Sequence, residues 1–241
     1  MPQPATGHSA ADAGDRVHRP ARGRGGSSHR TEGDVSASVS PLMFLPSDSP
    51  GLRIVLSSAI VVISEKGFHG TSVRDIADHA GMSPGSMYHY FESKQDLLHE
   101  ILRRGMVVMT ARARDARDAA PTNPIAQFEA MVRAHVVLHT QILRESLLTN
   151  RDFFSLSPDR HREIVILRDE YEALFVAALE AGLRNGSCHF PHAGDAVRAV
   201  LAMCSAVANW YSPDGPLTPG AIADRYTRLA LNLIEVEPGR R

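Results

Sequence analysis

The chain has 241 residues, of which 43% are apolar and 22% charged, and its net charge is -1 at pH 7. That length and balance allow a buried core of ordinary soluble type, and the near-zero charge excludes attraction to nucleic acid by a global basic field. Two cysteines, Cys188 and Cys204, are too few for a disulfide framework and fit a reducing compartment.

Residues 1–49 are mostly Gly, Ser, Pro, Ala and charge, with almost no large apolar side chain before Leu42. Such a segment buries too little surface to offset its ordering entropy, so it reads as a disordered tail. Arg16, Arg19, Arg22, Arg24 and Arg30 could track phosphates, but Asp12, Asp15, Glu32, Asp34 and Asp48 cancel them. The segment lacks the apolar stretch of a secretory signal. The longest apolar run, Ile54 to Ile63, is broken by Ser57 and Ser58 and falls far short of the ~20 residues of a membrane span. These features point to a cytoplasmic protein.

From Pro50 onward the apolar pattern is helical with short breaks. The spacing predicts about nine helices, near 51–66, 72–79, 84–90, 94–118, 124–139, 141–155, 159–185, 194–211 and 219–236. Gly67, Gly81, Pro121 with Pro124, Pro158, Gly186 with Pro191, and the Pro213–Pro219 turn punctuate them. No segment alternates with period two and no repeat is visible, so the expected class is all-α. Residues 50–104 are expected to form a helix-turn-helix DNA-binding module, and residues 105–241 a larger helical domain for ligand binding and dimerisation.

The informative stretch is Gly67–Lys94, GFHGTSVRDIADHAGMSPGSMYHYFESK. Ile76, Ala77, Ala80, Met82 and Met87 are spaced to pack two short helices at a steep angle, with Gly81 in the turn. Ser83 is placed as N-cap and Pro84 at the first helical position, where a missing N–H costs nothing. Ser83, Gly85, Ser86, Tyr88 and His89 then fall on the outer side of a helix too short to serve as core. The major groove of DNA offers such a helix both base edges and phosphates.

These residues closely resemble the TetR family of repressors. The likeness is carried by Glu65–Phe68, Thr71–Ala77, Ala80-Gly81, Ser83, Gly85-Ser86, Tyr88–Phe91, Ser93-Lys94 and Leu97-Leu98. It implies that Ser72, Val73 and Arg74 lie near one DNA strand and that Ser83, Pro84, Gly85 and Ser86 enter the major groove. Tyr88, His89 and Tyr90 would meet phosphates or base edges, and Lys94 would clamp a phosphate. Departures are the apolar Ile54, Val61 and Ile63 on helix 1, which suggest a cover from the tail or the ligand domain. Pro84 also stands where many members carry a cation. Residues 50–104 balance six basic against six acidic side chains, so binding is expected to depend on geometry and dimerisation. A hairpin of the same shape that has lost DNA binding is the bland alternative.

Further along, Trp210–Pro219 with Ile222–Tyr226, and Asn185-Gly186 before Phe190 and Asp195, resemble a TetR subgroup. That subgroup answers to acyl-coenzyme A thioesters of fatty-acid and sterol-ring degradation. Phe128, Met131, His135, Phe153, Phe154, Tyr171, Phe175, Arg198, Met203 and Trp210 are the candidate effector contacts, against a plain-core reading of the same stripe. Val200, Val207, Tyr211, Ile222, Tyr226, Leu229 and Leu233 are the candidate dimer contacts, in a four-helix bundle with a second copy. Arg133, Arg144 and Arg168 are further candidates for ligand phosphates, with solvated faces as the competing reading.

No cofactor or metal is expected. His135 with His139, and Cys188-His189 with His192, have partial metal-ligand spacing but no obvious converging third or fourth ligand. No nucleophile elbow, phosphate-binding glycine loop or zinc motif is present, and Asp169-Glu170 read as a solvated pair, so the chain reads as a regulator and not an enzyme. The expected mechanism is a dimer that places two recognition helices ~34–36 Å apart on a palindromic operator and is released by an effector. A regulator of efflux or other catabolic genes with an unrelated hydrophobic effector, or a ligand-independent DNA-binding scaffold, are the alternatives.

Overall fold

The structure is a computed structural model that describes residues 39–235. Among these residues all regular structure is helical, in nine α-helices and three 3-10 turns. The helices are α1 (Pro50–Lys66), α2 (Val73–Ala80), α3 (Pro84–Met87), α4 (Lys94–Ala119) and α5 (Pro124–Gln141). Then follow α6 (Leu143–Arg151), α7 (Pro158–Arg184), α8 (Ala193–Ser205) and α9 (Pro219–Leu233). The 3-10 turns are Pro41–Met43, Phe153–Ser155 and Ala206–Asn209. Side-chain caps fix most helix starts: Ser49, Ser72, Ser83, Ser93, Asn123 and Thr218 each accept a backbone N–H of the first turn.

Three boundaries differ from the sequence expectation. Helix α3 stops at Met87, because the N–H groups of His89 and Tyr90 reach back only three residues, to Ser86 and Met87. The sixth and eighth helices likewise tighten into 3-10 turns, after Arg151 and Ser205. The second of these breaks lines the cavity described below, through Ala206 and Asn209.

The tail expectation is corrected for residues 39–49. Val39 and Met43 are buried in the common core, and Ser40 caps the Pro41–Met43 turn. The seat is polar as well as apolar. Arg104 on α4 donates through Nη2 to Asp48 Oδ1 at 3.0 Å and through Nη1 to the Met43 carbonyl at 3.2 Å. Composition hid this because the apolar anchors are only Val39, Leu42, Met43 and Phe44, and the remaining contacts are polar ones to residues far along the chain, Arg104 and Glu145. The arginines at 16–30 lie outside the described residues.

Helix α1 is buried continuously from Val55 to Ile63, as its apolar departures suggested. Its cover is α6, which packs along it. Arg144 Nη1 donates to Ser64 Oγ at 3.0 Å, and Arg151 Nη2 to the Ile63 carbonyl at 2.7 Å.

At the other end, α9 packs on α5 and α8 on α7. The apolar stripes of α8 and α9 face their own chain: Val200, Val207 and Ile222 are fully buried within it. These three cannot contact a second copy, which corrects the sequence reading. Tyr211, Tyr226 and Leu233 are half-buried, while Leu229 is 50% exposed. Of the small residues of α8, Ala199 faces outward, Ala202 is exposed beside the cavity described below, and Ala193 and Ala196 are buried.

Candidate functional site

The helix-turn-helix is built by local chemistry. Ser72 Oγ accepts the Asp75 N–H while the Asp75 carboxylate accepts the Ser72 N–H at 2.8 Å, a reciprocal capping box. Lys66 pairs with the same carboxylate at 2.5 Å and, with Ser72, holds it well below the usual carboxylate range. Helix α2 ends at Gly81, whose φ of 66° needs a residue without a side-chain penalty. Met82 N–H then closes the turn on the Ala77 carbonyl at 2.9 Å. Ile76, Ala77 and Met87 are buried and hold α2 against α3.

This packing turns Ser83, Pro84, Gly85, Tyr88, His89 and Tyr90 outward, with Tyr88 56% exposed. Arg74 is also exposed. Ser72 and Ser83 already use their hydroxyls as caps, and Ser86 is hydrogen-bonded to Ser83 at 2.9 Å. Val73 is half-buried against the core. Tyr90 leans over Gly51: a Cβ added there would lie 2.0 Å from the Tyr90 hydroxyl. Lys94 departs from the phosphate-clamp expectation. Its ammonium donates to the carbonyls of Phe68 (2.7 Å) and Thr71 (2.5 Å) and sits 4.2 Å from the Phe68 ring centre. Partial burial lowers its pKa. The lysine therefore staples the start of α4 to the α1–α2 turn.

A second feature is a cavity of about 400 Å³ among α4, α5, α6, α7 and α8. His135 and Tyr171, two of the candidate effector contacts, line it; Nδ1 of His135 meets the Tyr171 hydroxyl at 2.7 Å and its Nε2 meets Ser205 Oγ at 3.2 Å. Beside them His139 stacks at 4.2 Å between ring centres, with its Nδ1 on the His135 carbonyl. Burial pushes both imidazoles toward the neutral form, His139 to about 4.

Most other predicted effector contacts lie elsewhere. Phe128, Met131 and Phe175 are fully buried core, the two phenylalanines meeting edge to face. Phe153 is buried under Arg168 and His161, and Phe154 is 78% exposed. Arg198 is exposed and paired with Glu172 and Asp195. Met203 is half-buried against the core, and Trp210 stacks on Tyr226 at the surface. An apolar stripe marks a helix face without saying whether that face meets another helix or a void. The cavity is instead walled partly by small polar groups, Ser146, Thr149, Asn150 and Asn209 among them. Ser146 Oγ is buried there without a hydrogen-bond partner.

Arg168 completes the cavity wall. Its Nη2 donates to the Thr149 carbonyl at 2.8 Å and its guanidinium lies 4.0 Å from the Phe153 ring centre. Among the described residues no carboxylate pairs with it, and burial alone lowers its pKa. The carboxylate on the same wall, Glu172, pairs instead with Arg198. The sequence had offered Arg168 only as one of several arginines.

Helix α6 joins the two features. Ser146, Thr149 and Asn150 face the cavity, while Arg144 and Arg151 on the same helix hold α1 and the adjoining Asp152 holds the α1–α2 turn.

Comparison with known proteins follows the same division. Residues 55–101 match the family "Bacterial regulatory proteins, tetR family", and residues 121–234 match "Tetracyclin repressor-like, C-terminal domain". The chain is 30% identical over 192 residues to the HTH-type transcriptional repressor KstR2 of Mycobacterium tuberculosis, covering 76% of this chain and 92% of that one. The solved structure of the ketosteroid transcriptional regulator KstR2 of that organism superposes with a TM-score of 0.70 at 28% identity, covering 76% and 94% of the two chains. A tetR-family regulatory protein from Rhodococcus RHA1 gives a TM-score of 0.74 at 27% identity, covering 79% and 100%.

Proposed function

The chain belongs to the TetR family of bacterial regulatory proteins, and from that premise we propose that it is a transcriptional repressor whose hold on operator DNA is released by a small effector. It acts in the cytoplasm as a homodimer on a palindrome. Each copy offers the outward surface of Ser83–Tyr90 to one half-site, with Arg74 beside it. Dimerisation uses the outward flank of α8 and α9, where Ala199 allows close approach and Leu229, Tyr226 and Trp210 supply apolar area.

The observation that carries the effector reading is Arg168, a half-buried guanidinium without a carboxylate partner on the wall of a 400 Å³ cavity. It suits a ligand with an apolar body and an anionic or strongly polar end. An acyl-coenzyme A thioester fits that description, with its acyl or ring portion inside. The C-terminal resemblance and the similarity to a ketosteroid regulator support this class. Filling the cavity presses on Ser146, Thr149 and Asn150, and α6 passes the displacement to α1. Release follows to the extent that the effector prefers the displaced state, with ~1–3 kcal/mol of coupling typical of such systems.

The test is a gel shift with duplex DNA from immediately upstream of the chain's own gene, challenged with acyl-coenzyme A thioesters of short-chain, long-chain and steroid-ring acids. Retardation reversed by one thioester class and not by its free acid is the expected result. Absence of retardation sinks the operator reading. Retardation that no thioester reverses, but a different hydrophobic molecule does, replaces the effector class.

A further inference from the structure

The segment before α1 carries contacts that neither the DNA-reading surface nor the cavity requires. At its start, the Ser40 N–H donates to Glu145 Oε1 at 3.0 Å. Glu145 is a buried carboxyl on α6, raised in pKa by that burial, and its neighbour Ser146 lines the cavity. At the segment's end, Asp48 and Arg104 form an ion pair with both side chains almost fully buried. Arg104 Nε also bonds Glu100 at 2.6 Å. Two residues past Asp48, helix α1 begins, and Arg53 on it donates back to the Leu45 carbonyl at 3.0 Å. Ten residues thus touch the effector-side helix at one end and the root of the DNA-reading module at the other.

We propose that residues 39–48 form a strap in which Ser40, Glu145, Asp48 and Arg104 are positioning residues that hold the DNA-reading module at its operator-binding angle. The claim rests on the operator-binding reading above. Physically, α1 packs along α6 and over a smaller area on α4, and Lys94 ties the α1–α2 turn to the start of α4. The strap adds a buried tether at the opposite end of α1, through Asp48 and Arg104, and so restrains rocking of that end about α6. A displacement of α6 by an effector acts on the Ser40 end directly.

The backbone at Ser40 allows a direct perturbation. Its φ of −62° is the value proline imposes, so Ser40→Pro removes the N–H donor at an accessible backbone angle, and the ring Cδ, which takes the hydrogen's place, turns the Glu145 carboxyl away. Ser40→Ala loses only the hydroxyl cap and keeps the donor. Glu145→Gln keeps an acceptor oxygen, and Glu145→Ala does not. Variants are made in the full-length chain and titrated against the upstream duplex at a temperature where circular dichroism shows all of them folded.

Ser40→Pro and Glu145→Ala are each expected to weaken duplex binding about tenfold, the worth of one hydrogen bond to a carboxylate. The double variant should fall no further than the weaker single one, while Ser40→Ala and Glu145→Gln stay within about twofold of the parent. Amide exchange in the first turns of α1 should also quicken in Ser40→Pro without DNA present. Parent-like duplex affinity in Ser40→Pro overturns the strap, even if its melting temperature drops, because a merely structural role predicts that pattern. If the parent itself retards no duplex, the operator reading fails separately, and unchanged exchange in α1 would then dispose of the strap.

Discussion

The carboxylate of Asp152 accepts the backbone N–H of Phe68 at 3.0 Å in a buried setting, tying the end of α6 to the α1–α2 turn across 84 residues of sequence. The Phe68 N–H lies between two helices, so no helical carbonyl is available to it. Removing the acceptor leaves a buried donor unpaired, which costs ~1–3 kcal/mol. Asp152→Ala should lower unfolding free energy by about 2 kcal/mol on that basis, and Asp152→Asn, which retains an oxygen, by clearly less. Urea unfolding of the three proteins measures both; equal losses would show that charge and not acceptance matters.

Tyr88 is the most exposed aromatic of the DNA-reading surface, and Met87 beside it carries the packing. Tyr88→Ala is therefore expected to abolish operator retardation while leaving the melting temperature and the oligomeric state by light scattering unchanged. A variant that binds operator like the parent removes the assignment of this turn.

Arg168 should separate effector response from DNA binding. Arg168→Met keeps the apolar contact with Phe153 but removes the cation. Operator affinity should stay parental, and the concentration of thioester needed for release should rise about tenfold or more, the worth of a charge-assisted bond. Gel shifts at graded effector concentration report this directly.

The buried histidines set an acid limit. Burial holds His135 and His139 neutral in the folded chain, the latter at a pKa of about 4 against an ordinary 6.5. The unfolded chain therefore binds more protons below pH 6.5. Their stabilising contribution is complete above that pH and is lost as pH falls from there toward 4. Each histidine adds a slope of up to ~1.4 kcal/mol per pH unit in that window. His139→Gln should flatten the decline between pH 6 and pH 5 by about that amount relative to the parent, as read by urea unfolding.

Ser57 and Ser58 are fully buried on α1, and neither hydroxyl has a hydrogen-bond partner. Ser58→Ala removes an unpaired polar group and improves helix propensity, so a gain of about 0.5–1 kcal/mol is expected. A loss in the melting curve would indicate that the hydroxyl holds a bound water.

Much of the DNA-reading module was legible because its determinants are local. Gly81, and Ser83 before Pro84, specify a turn and a cap through bonds that span three or four residues, and such bonds form in any context that tolerates a helix. The same locality explains why the helices and the all-α class were readable from spacing. The orientation of Lys94 was not, since its acceptors at Phe68 and Thr71 come from a turn more than twenty residues away.

The sequence by itself determined where helices begin, where they break, and which short turn faces outward. Only the tertiary structure decided which apolar stripe meets a void. Phe128, Phe175, Val200 and Ile222 went to the core, while His135, Tyr171 and Arg168 reached the cavity. Tertiary packing alone also seated Val39 and Met43, because an ion pair between Asp48 and Arg104 acts across 56 residues. Burial energy depends on area and not direction, so a pattern fixes that a face is covered, while the covering partner is set by the fit of all helices together.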